Sequence, residues 1–182
     1  ENNAASLARV SRTTFPEVKV VRTQPAADAW DAIMLPFAWS ANDISRTVKA
    51  ATGITVANSK VTLNFADATT LEAGKVYFLA PDSPTASARA QALRKAAAET
   101  EELEFTNKTI NSTVTPQVFT EDGVTATITG SYDAQTAASG DYILSDTYLS
   151  AASGAIAAGV PVLKVTGATP ANVLIEGEPD PE

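Results

Sequence analysis

Short apolar runs recur along the chain, and in most of them apolar residues alternate with polar ones. This alternation is the two-residue period of a β-strand that buries one face, and it is clear over 61–65 and over 124–128. Asp122-Gly123, just before the second of these runs, predicts a tight hairpin turn. The runs are spaced by roughly 8 to 15 residues, so the pattern predicts a mainly β protein, a β-sandwich of about ten short strands.

One segment departs from the alternation and predicts a short helix. Residues 40–43 (Ser-Ala-Asn-Asp) resemble a helix capping box, with Asp in the place of the usual Glu or Gln. Apolar residues follow at near-helical spacing, at Ile44, Val48 and Ala51, and a glycine then supplies a stop. We therefore expect a helix over 41–52.

A second short helix is predicted in an Ala-rich segment, residues 84–102. Pro84 suits a first helical turn, but the apolar face of the segment is mostly Ala and would bury little. We interpret the segment as an insertion in one β-sandwich domain that spans residues 13–176. Residues 1–12 are expected to be a tail or linker, and residues 177–182 an acidic tail.

The charge of the chain limits its partners. Its 182 residues carry a formal net charge of -8. Nucleic-acid-binding proteins concentrate Lys and Arg on one face, and anionic membranes attract basic patches, so neither partner is expected. No membrane-spanning segment is predicted, because no apolar run reaches the length of about 18 residues that a spanning helix needs.

Several enzyme classes are excluded by residues that the chain lacks. It contains no Cys and no His, which removes thiol nucleophiles, Ser-His-Asp triads, imidazole bases and the usual zinc ligand sets. Phosphate-binding glycine loops and a nucleophile elbow are also missing. We predict no catalytic residue. The absence of Cys favours a secreted or cell-envelope protein, and a chain that begins at Glu1 without a signal segment is expected to be part of a longer precursor.

Paired carboxylates are the one catalytic arrangement that the composition leaves open. Glycoside hydrolysis requires two acids about 5–10 Å apart across a sugar cleft. All candidates lie in predicted loops or at strand ends, where acids are usually solvated. The candidate pairs are Asp28 with Asp31, Glu121 with Asp122, and Asp133 with Asp141 or Asp146.

Four residues are candidates for ligand contact. Asp133, Asp141 and Asp146 bracket one predicted loop and offer oxygen ligands that suit a calcium ion, although their spacing matches no ordered calcium motif. The alternative interpretation is that each Asp accepts hydrogen bonds from nearby backbone N–H groups in a turn. Trp39, just before the predicted helix cap, is a candidate for stacking on a sugar, a role that requires an exposed ring. No other cofactor is expected.

Four motifs occur in a recognisable order along the chain. They are Trp30-x-x-Ile33-x-Leu35-Pro36-Phe37, Leu71-x-Ala73-Gly74-x-x-Tyr77-Phe78, Ile128-x-Gly130-x-Tyr132 and Gly140-x-Tyr142-Ile143-Leu144-Ser145-Asp146. Together they resemble an adhesin-like, β-rich module of secreted and cell-surface proteins of Bacteroidetes, and the resemblance spans about residues 15–176. Val76 departs from the Pro that is usual there, and the Ala-rich insertion is a second departure. The resemblance implies packing roles for the motif residues and no catalytic ones.

The leading hypothesis is a non-enzymatic extracellular or cell-envelope module that presents loops to protein or glycan partners in adhesion. A carbohydrate-binding module is one alternative, and it requires exposed, coplanar aromatic rings. A carboxylate-based glycoside hydrolase is a second alternative. A third is a pilus or fibre subunit that is completed by a donated terminal strand.

Overall fold

The computed structural model describes residues 3–24, 29–82 and 99–181. Within them the chain forms sixteen strands, one α-helix and one 3-10 helix, so the protein is mainly β, as the alternation predicts. There are more strands than the predicted ten because four of them contain only two residues. In chain order the elements are α1 (Ala4–Val10), β1 (Thr14–Gln24), β2 (Asp31–Met34), β3 (Trp39–Ser40), the 3-10 helix (Ala41–Asp43), β4 (Val48–Ala57), β5 (Lys60–Asp67), β6 (Thr70–Leu71), β7 (Val76–Leu79), β8 (Glu99–Thr109), β9 (Gln117–Glu121), β10 (Val124–Thr129), β11 (Gln135–Thr136), β12 (Asp141–Leu144), β13 (Tyr148–Ala151), β14 (Ala155–Ile156), β15 (Val162–Thr166) and β16 (Asn172–Ile175).

Ten of these strands form one large sheet with the order β2-β7-β4-β5-β16-β13-β12-β15-β10-β9. Its strands pair antiparallel except for β5 and β16, which run parallel. The hairpin predicted at Asp122-Gly123 is confirmed: both residues have positive φ, 49° and 77°, as the two-residue turn between β9 and β10 requires. Buried Val124, Ala126 and Ile128 alternate with threonines along β10, so this strand buries one face.

The large sheet curls so that its last strand returns to the strands near its beginning. Glu121 at the end of β9 accepts a hydrogen bond of 3.0 Å from the N–H of Val56 in β4. At the other end of β9, the side-chain amide of Gln117 donates to the carbonyl of Val76 in β7 at 2.9 Å. The apolar core is enclosed between the two layers that this curling produces.

A separate two-stranded ribbon, β1 with β8, covers part of the same core. The register pairs Val18 with Phe105 and Val20 with Leu103, which places these four side chains on one face of the ribbon. Phe105 and Leu103 are buried, and the Phe105 ring packs edge to face on Phe37 with 5.0 Å between ring centroids. The ribbon therefore attaches to the rest of the fold through one apolar face.

The helix predicted over 41–52 is wrong. The capping box itself forms, because the N–H of Ser40 donates to the Asp43 carboxylate at 2.9 Å. It encloses only the three residues of the 3-10 helix, and the predicted helix then gives way to β4.

The wrong prediction has a physical cause in the burial of β4. Val48 and Ala51, whose spacing favoured the helix, are both buried in β4. Residues three apart on a strand point to opposite faces, so a strand that is buried on both faces imitates helical spacing. Hydrogen bonds from β5 and β7 on the two sides of β4 fix the extended conformation.

Both ends of the chain, predicted as tails, carry structure. Asn3 caps α1 by accepting the N–H of Ser6 at 2.8 Å, and Leu7 of this helix is buried. Near the other end, the Glu178 carboxylate accepts a hydrogen bond of 2.8 Å from the Trp30 indole. Of the Ala-rich segment, residues 84–98 lie outside the described residues, and its end belongs to strand β8.

Candidate functional site

Trp39 lies in the core, so it lacks the exposed ring that its candidacy for sugar stacking requires. Only 3% of its surface is accessible. Its ring meets Tyr77 and Phe105 edge to face, with centroid distances of 6.2 and 6.4 Å. β3 places it there by pairing Trp39 with Leu71 across the small sheet β3–β6. A ring that packs on two aromatic neighbours is not available to stack on a sugar.

Asp133 and Asp141 are both engaged by the backbone around them. Asp133 accepts a hydrogen bond of 3.0 Å from the N–H of Ala4 at the start of α1. Asp141 accepts one of 2.8 Å from the N–H of Ala138 and lies 3.2 Å from the Lys164 ammonium. The contact of Asp141 is the local turn role of the alternative interpretation, whereas Asp133 binds the start of a helix that is distant in sequence.

The fold does not bring the three predicted aspartates together. Asp141 begins β12 and Asp146 follows its end, so the length of the strand, at ~3.3 Å per residue, separates them by about 10 Å or more. Within residues 3–24, 29–82 and 99–181, no three acidic side chains are grouped as a metal ion would require. The predicted calcium site is therefore not assembled from these residues.

The predicted carboxylate pairs also have structural partners. Asp31 forms an ion pair with Arg22, and Glu121 accepts the backbone bond from Val56 that closes the curled sheet. Asp28 lies outside the described residues. In each candidate pair, at least one described member therefore already forms an ion pair or accepts a backbone hydrogen bond.

A groove of about 710 Å³ runs between β1 and β2, and the sequence did not predict it. Residues 18–23 of β1 and residues 30–37 around β2 line it without interruption. Neighbouring residues of a strand point to opposite faces, so an unbroken run of lining residues means that a strand presents its edge. We call this feature the β1–β2 groove.

The edge that β2 turns to the β1–β2 groove carries an unpaired backbone segment. β2 is the first strand of the large sheet and pairs only with β7, so its other edge has no strand partner in the described chain. On that edge, Trp30 N–H donates to the carbonyl of Asp146 at 3.1 Å, and the carbonyl of Pro36 accepts from Asn111 N–H at 2.6 Å. By the two-residue period Met34 lies on the same edge, and its N–H and C=O have no partner in the described chain.

Charged side chains close one end of the groove. Arg22, on the inner face of β1, forms an ion pair with Asp31 at the start of β2 and a second with Glu101 of β8 at 3.0 Å. The same guanidinium reaches the carbonyl of Ala32 at 3.5 Å. All three charged side chains are largely buried, so this network ties the ribbon to the large sheet.

Tyr132 contributes an unusual polar group to the lining. The residue is 7% exposed, and its hydroxyl is buried without a hydrogen-bond partner among the described residues. Burial raises the pKa of Tyr132 to about 12, because the phenolate would lose its solvation. Neighbouring Leu7 and Ile110 make this part of the groove apolar.

The rim of the groove is acidic. Lys19 on β1 lies 2.7 Å from Glu104 and 3.1 Å from Glu102. Hydrogen bonds to these carboxylates raise the pKa of Lys19, and Glu104 has the larger effect. Lys19 in turn lowers the pKa of Glu104. Asp146 lines the groove, is exposed, and has no partner for its carboxylate among the described residues. Six acids and two bases either line the groove or pair directly with a lining residue, which gives a net charge of -4. They are Glu17, Asp31, Glu101, Glu102, Glu104 and Asp146, with Lys19 and Arg22.

The sequence contains one signal that points to this groove. Val20 and Val21 are adjacent, and a strand with a single buried face cannot bury both. Val21 is 60% exposed and lines the β1–β2 groove. An apolar residue on the face of a strand that should be polar is a sign of a contact surface.

Comparisons with known proteins do not identify the chain. No family model, no curated protein and no solved structure matches it. The resemblance carried by the four motifs therefore stays a prediction. None of the helices in residues 3–24, 29–82 and 99–181 has the length and apolar character that crossing a membrane requires.

Proposed function

We propose that the chain is a non-enzymatic adhesion module of the cell envelope or extracellular space, and that it holds a protein partner in the β1–β2 groove. The observation that carries this proposal is an apolar concavity of about 710 Å³ beside an open strand edge. Binding clefts typically measure about 300–1,000 Å³ and combine an apolar lining with a few polar groups. The location outside the cytoplasm rests on the motif resemblance and on the absence of Cys.

The groove is a better candidate than the loops that the sequence favoured. Asp133, in the loop before β11, and Asp141, at the start of β12, are occupied by backbone hydrogen bonds and an ion pair. Asp146 is different, because it combines a place at the groove with a carboxylate open to solvent. It is the one predicted contact residue that the proposal keeps.

A protein partner is favoured over a glycan by the placement of the aromatic rings. Trp30 and Trp39 are both buried, and so are Tyr77, Tyr132 and Tyr142. Sugar-binding surfaces stack exposed, flat rings on the ligand, and these five rings cannot do so. Tyr148 is half-buried but does not line the groove. The groove instead offers aliphatic side chains and strand backbone, which suit an extended polypeptide.

The test of the proposal is a variant that fills the groove without touching the core. Ala158 lines the groove and is exposed, so Ala158→Trp places a large ring inside the groove. Ala151, also exposed but outside the groove lining, gives the matched control Ala151→Trp. Beads coated with each protein are applied to arrays of purified extracellular-matrix proteins, glycans and bacterial surface proteins.

We expect binding to array proteins that is lost in Ala158→Trp and retained in Ala151→Trp. Equal binding by the two variants would show that the groove is not the site. Binding confined to glycans would favour the carbohydrate-binding alternative. Release of sugars from a panel of polysaccharides would contradict the non-enzymatic assignment.

A further inference from the structure

We infer that the partner enters the β1–β2 groove as an extended, basic segment of another protein, which adds as a strand to the open edge of β2. This inference rests on the proposed function, because it assumes that the groove is the binding site. It adds the conformation of the ligand, the atoms that hold it and the sign of its charge.

The backbone of β2 supplies the first argument. Its outer edge already makes backbone hydrogen bonds at both of its ends, with Asp146 at Trp30 and with Asn111 at Pro36. Met34 lies between these two positions with its N–H and C=O unpaired in the described chain. A residue of an incoming strand can accept from this N–H and donate to this C=O, which is how antiparallel strands pair.

Ala32 is the next position that an added strand would reach. Its N–H donates to the Asp31 carboxylate at 2.8 Å, and its C=O accepts from the Arg22 guanidinium at 3.5 Å. These two side chains can rotate away and release both backbone groups, whereas a paired strand cannot. The edge therefore has one open pairing position and a second that a ligand can open.

The lining of the groove supplies the second argument. Aliphatic residues from different elements meet there, among them Leu7 of α1, Ile33 of β2 and Ile110 after β8. A bound strand turns every second side chain towards this lining and the others towards solvent. The ligand should therefore carry apolar residues at alternate positions.

The negative charge around the groove is the third argument, and it indicates a basic partner. The residues that line the groove, with their direct ion-pair partners, carry a net charge of -4, and the Asp146 carboxylate has no described partner. A segment with Lys or Arg beside its apolar positions is attracted to this rim, and the attraction weakens with salt. A second copy of the chain, with a net charge of -8, is repelled. The partner is therefore a different, basic protein segment.

The test uses a synthetic peptide of eleven residues, with Val or Ile at alternate positions, Thr between them and Lys at both ends. Binding to the full chain is measured by fluorescence anisotropy at low salt. Single N-methyl groups, placed along the peptide one residue at a time, remove one backbone donor each. Because only the peptide donors opposite Met34 and Ala32 would pair with β2 carbonyls, we expect losses of about tenfold or more at two peptide positions, two residues apart, and small losses elsewhere. In NMR spectra, the Met34 amide should become protected from hydrogen exchange on binding.

Two pairs of matched variants test the contacts. Val21 and Val118 are equally exposed, at 60% and 61%, but only Val21 lines the groove, so Val21→Thr should weaken binding by about threefold and Val118→Thr should not. Asp146→Asn should weaken binding by about threefold to tenfold and reduce its salt dependence. Asp122→Asn is the charge control, because Asn-Gly suits the β9–β10 turn as well as Asp-Gly does.

The outcomes separate the inference from the proposed function. If Ala158→Trp blocks array binding but N-methylation shows no two sensitive positions two residues apart and the Met34 amide stays unprotected, strand addition is refuted while the groove remains the site. Tighter binding of a peptide with Glu in place of Lys would refute the charge argument. Concentration-dependent self-association that Ala158→Trp abolishes would assign the groove to a second copy, as in a fibre subunit, and overturn the inference.

Discussion

Replacing Tyr132 by Phe should stabilise the protein, whereas the same change at Tyr142 should destabilise it. Both tyrosines are buried. The Tyr132 hydroxyl has no hydrogen-bond partner in the described chain. The Tyr142 hydroxyl donates to the buried carbonyl of Pro170 at 2.5 Å. The two substitutions remove the same atom, so their difference isolates the hydrogen bond.

The sizes of the two effects follow from the cost of an unsatisfied polar group. A buried group without a partner costs about 1–3 kcal/mol, and a satisfied hydrogen bond contributes about 1 kcal/mol. Tyr132→Phe removes such a group and keeps the ring, so we expect a gain of about 1 kcal/mol. Tyr142→Phe loses the bond and strands the Pro170 carbonyl, so we expect a loss of about 1–2 kcal/mol.

Urea unfolding measures both changes. Trp30 and Trp39 are buried, so their fluorescence reports loss of the fold. With a denaturant slope of about 2 kcal/mol per M, the unfolding midpoint should rise by roughly 0.5 M for Tyr132→Phe and fall by roughly 0.5–1 M for Tyr142→Phe. Equal destabilisation by the two changes would refute the reasoning, because it would mean that the Tyr132 hydroxyl has a partner.

Alkaline pH gives a second measurement of the same hydroxyl. The pKa of Tyr132 is raised from its ordinary value near 10 to about 12, so between these values the unfolded chain releases this proton and the folded chain keeps it. Folding stability is therefore unaffected below pH 10 and falls as the pH rises towards 12, by about 2–3 kcal/mol in total. Tyr132→Phe should remove this part of the alkaline loss, and an unchanged pH profile would contradict the assignment.

Three further predictions concern packing and the ribbon. Gly74 has φ +70°, and a Cβ there would overlap the carbonyl oxygen of Thr113, so Gly74→Ala should cost about 3 kcal/mol or more in urea unfolding. Gly154→Ala, at φ +73° with open space around it, should cost only about 1 kcal/mol, and equal costs would mean that the chain relieves the clash by moving. Arg22→Gln should speed amide exchange in β1 and β8 more than in β10, because it removes the ion pair with Asp31, and a uniform change would contradict this role.

The parts of the fold that depend on local sequence are predicted well. The Asp-Gly turn between β9 and β10 needs two residues with positive φ, and a residue pair of this kind is visible in the sequence. The alternation of Val124, Ala126 and Ile128 with threonine likewise has one simple solution, a strand with one buried face. In both cases the information lies within a few consecutive residues.

The predictions that fail depend on partners that are distant in sequence. Ile44, Val48 and Ala51 have near-helical spacing, but pairing with β5 and β7 fixes the chain from Val48 onward as an extended strand. Trp39 is buried by Phe105, a residue that a long stretch of chain separates from it. Leu7 has too few apolar neighbours in sequence to predict a helix, yet it is buried against the core. Tertiary contacts override local propensity at each of these positions.

The β1–β2 groove also depends on strand pairing that is distant in sequence, and this pairing is what leaves its edges open. β1 and β2 are consecutive strands, and from sequence the simplest expectation for consecutive strands is that they pair as a hairpin. Instead β1 pairs with β8 and β2 with β7, and each keeps one edge without a strand partner in the described chain. Exposed edges promote aggregation, and proteins usually protect them with charge or cover. Here the acidic rim and the Arg22–Asp31 pair provide such protection. In the proposed complex, a basic segment would be attracted to the same rim and would pair with the edge that the rim protects.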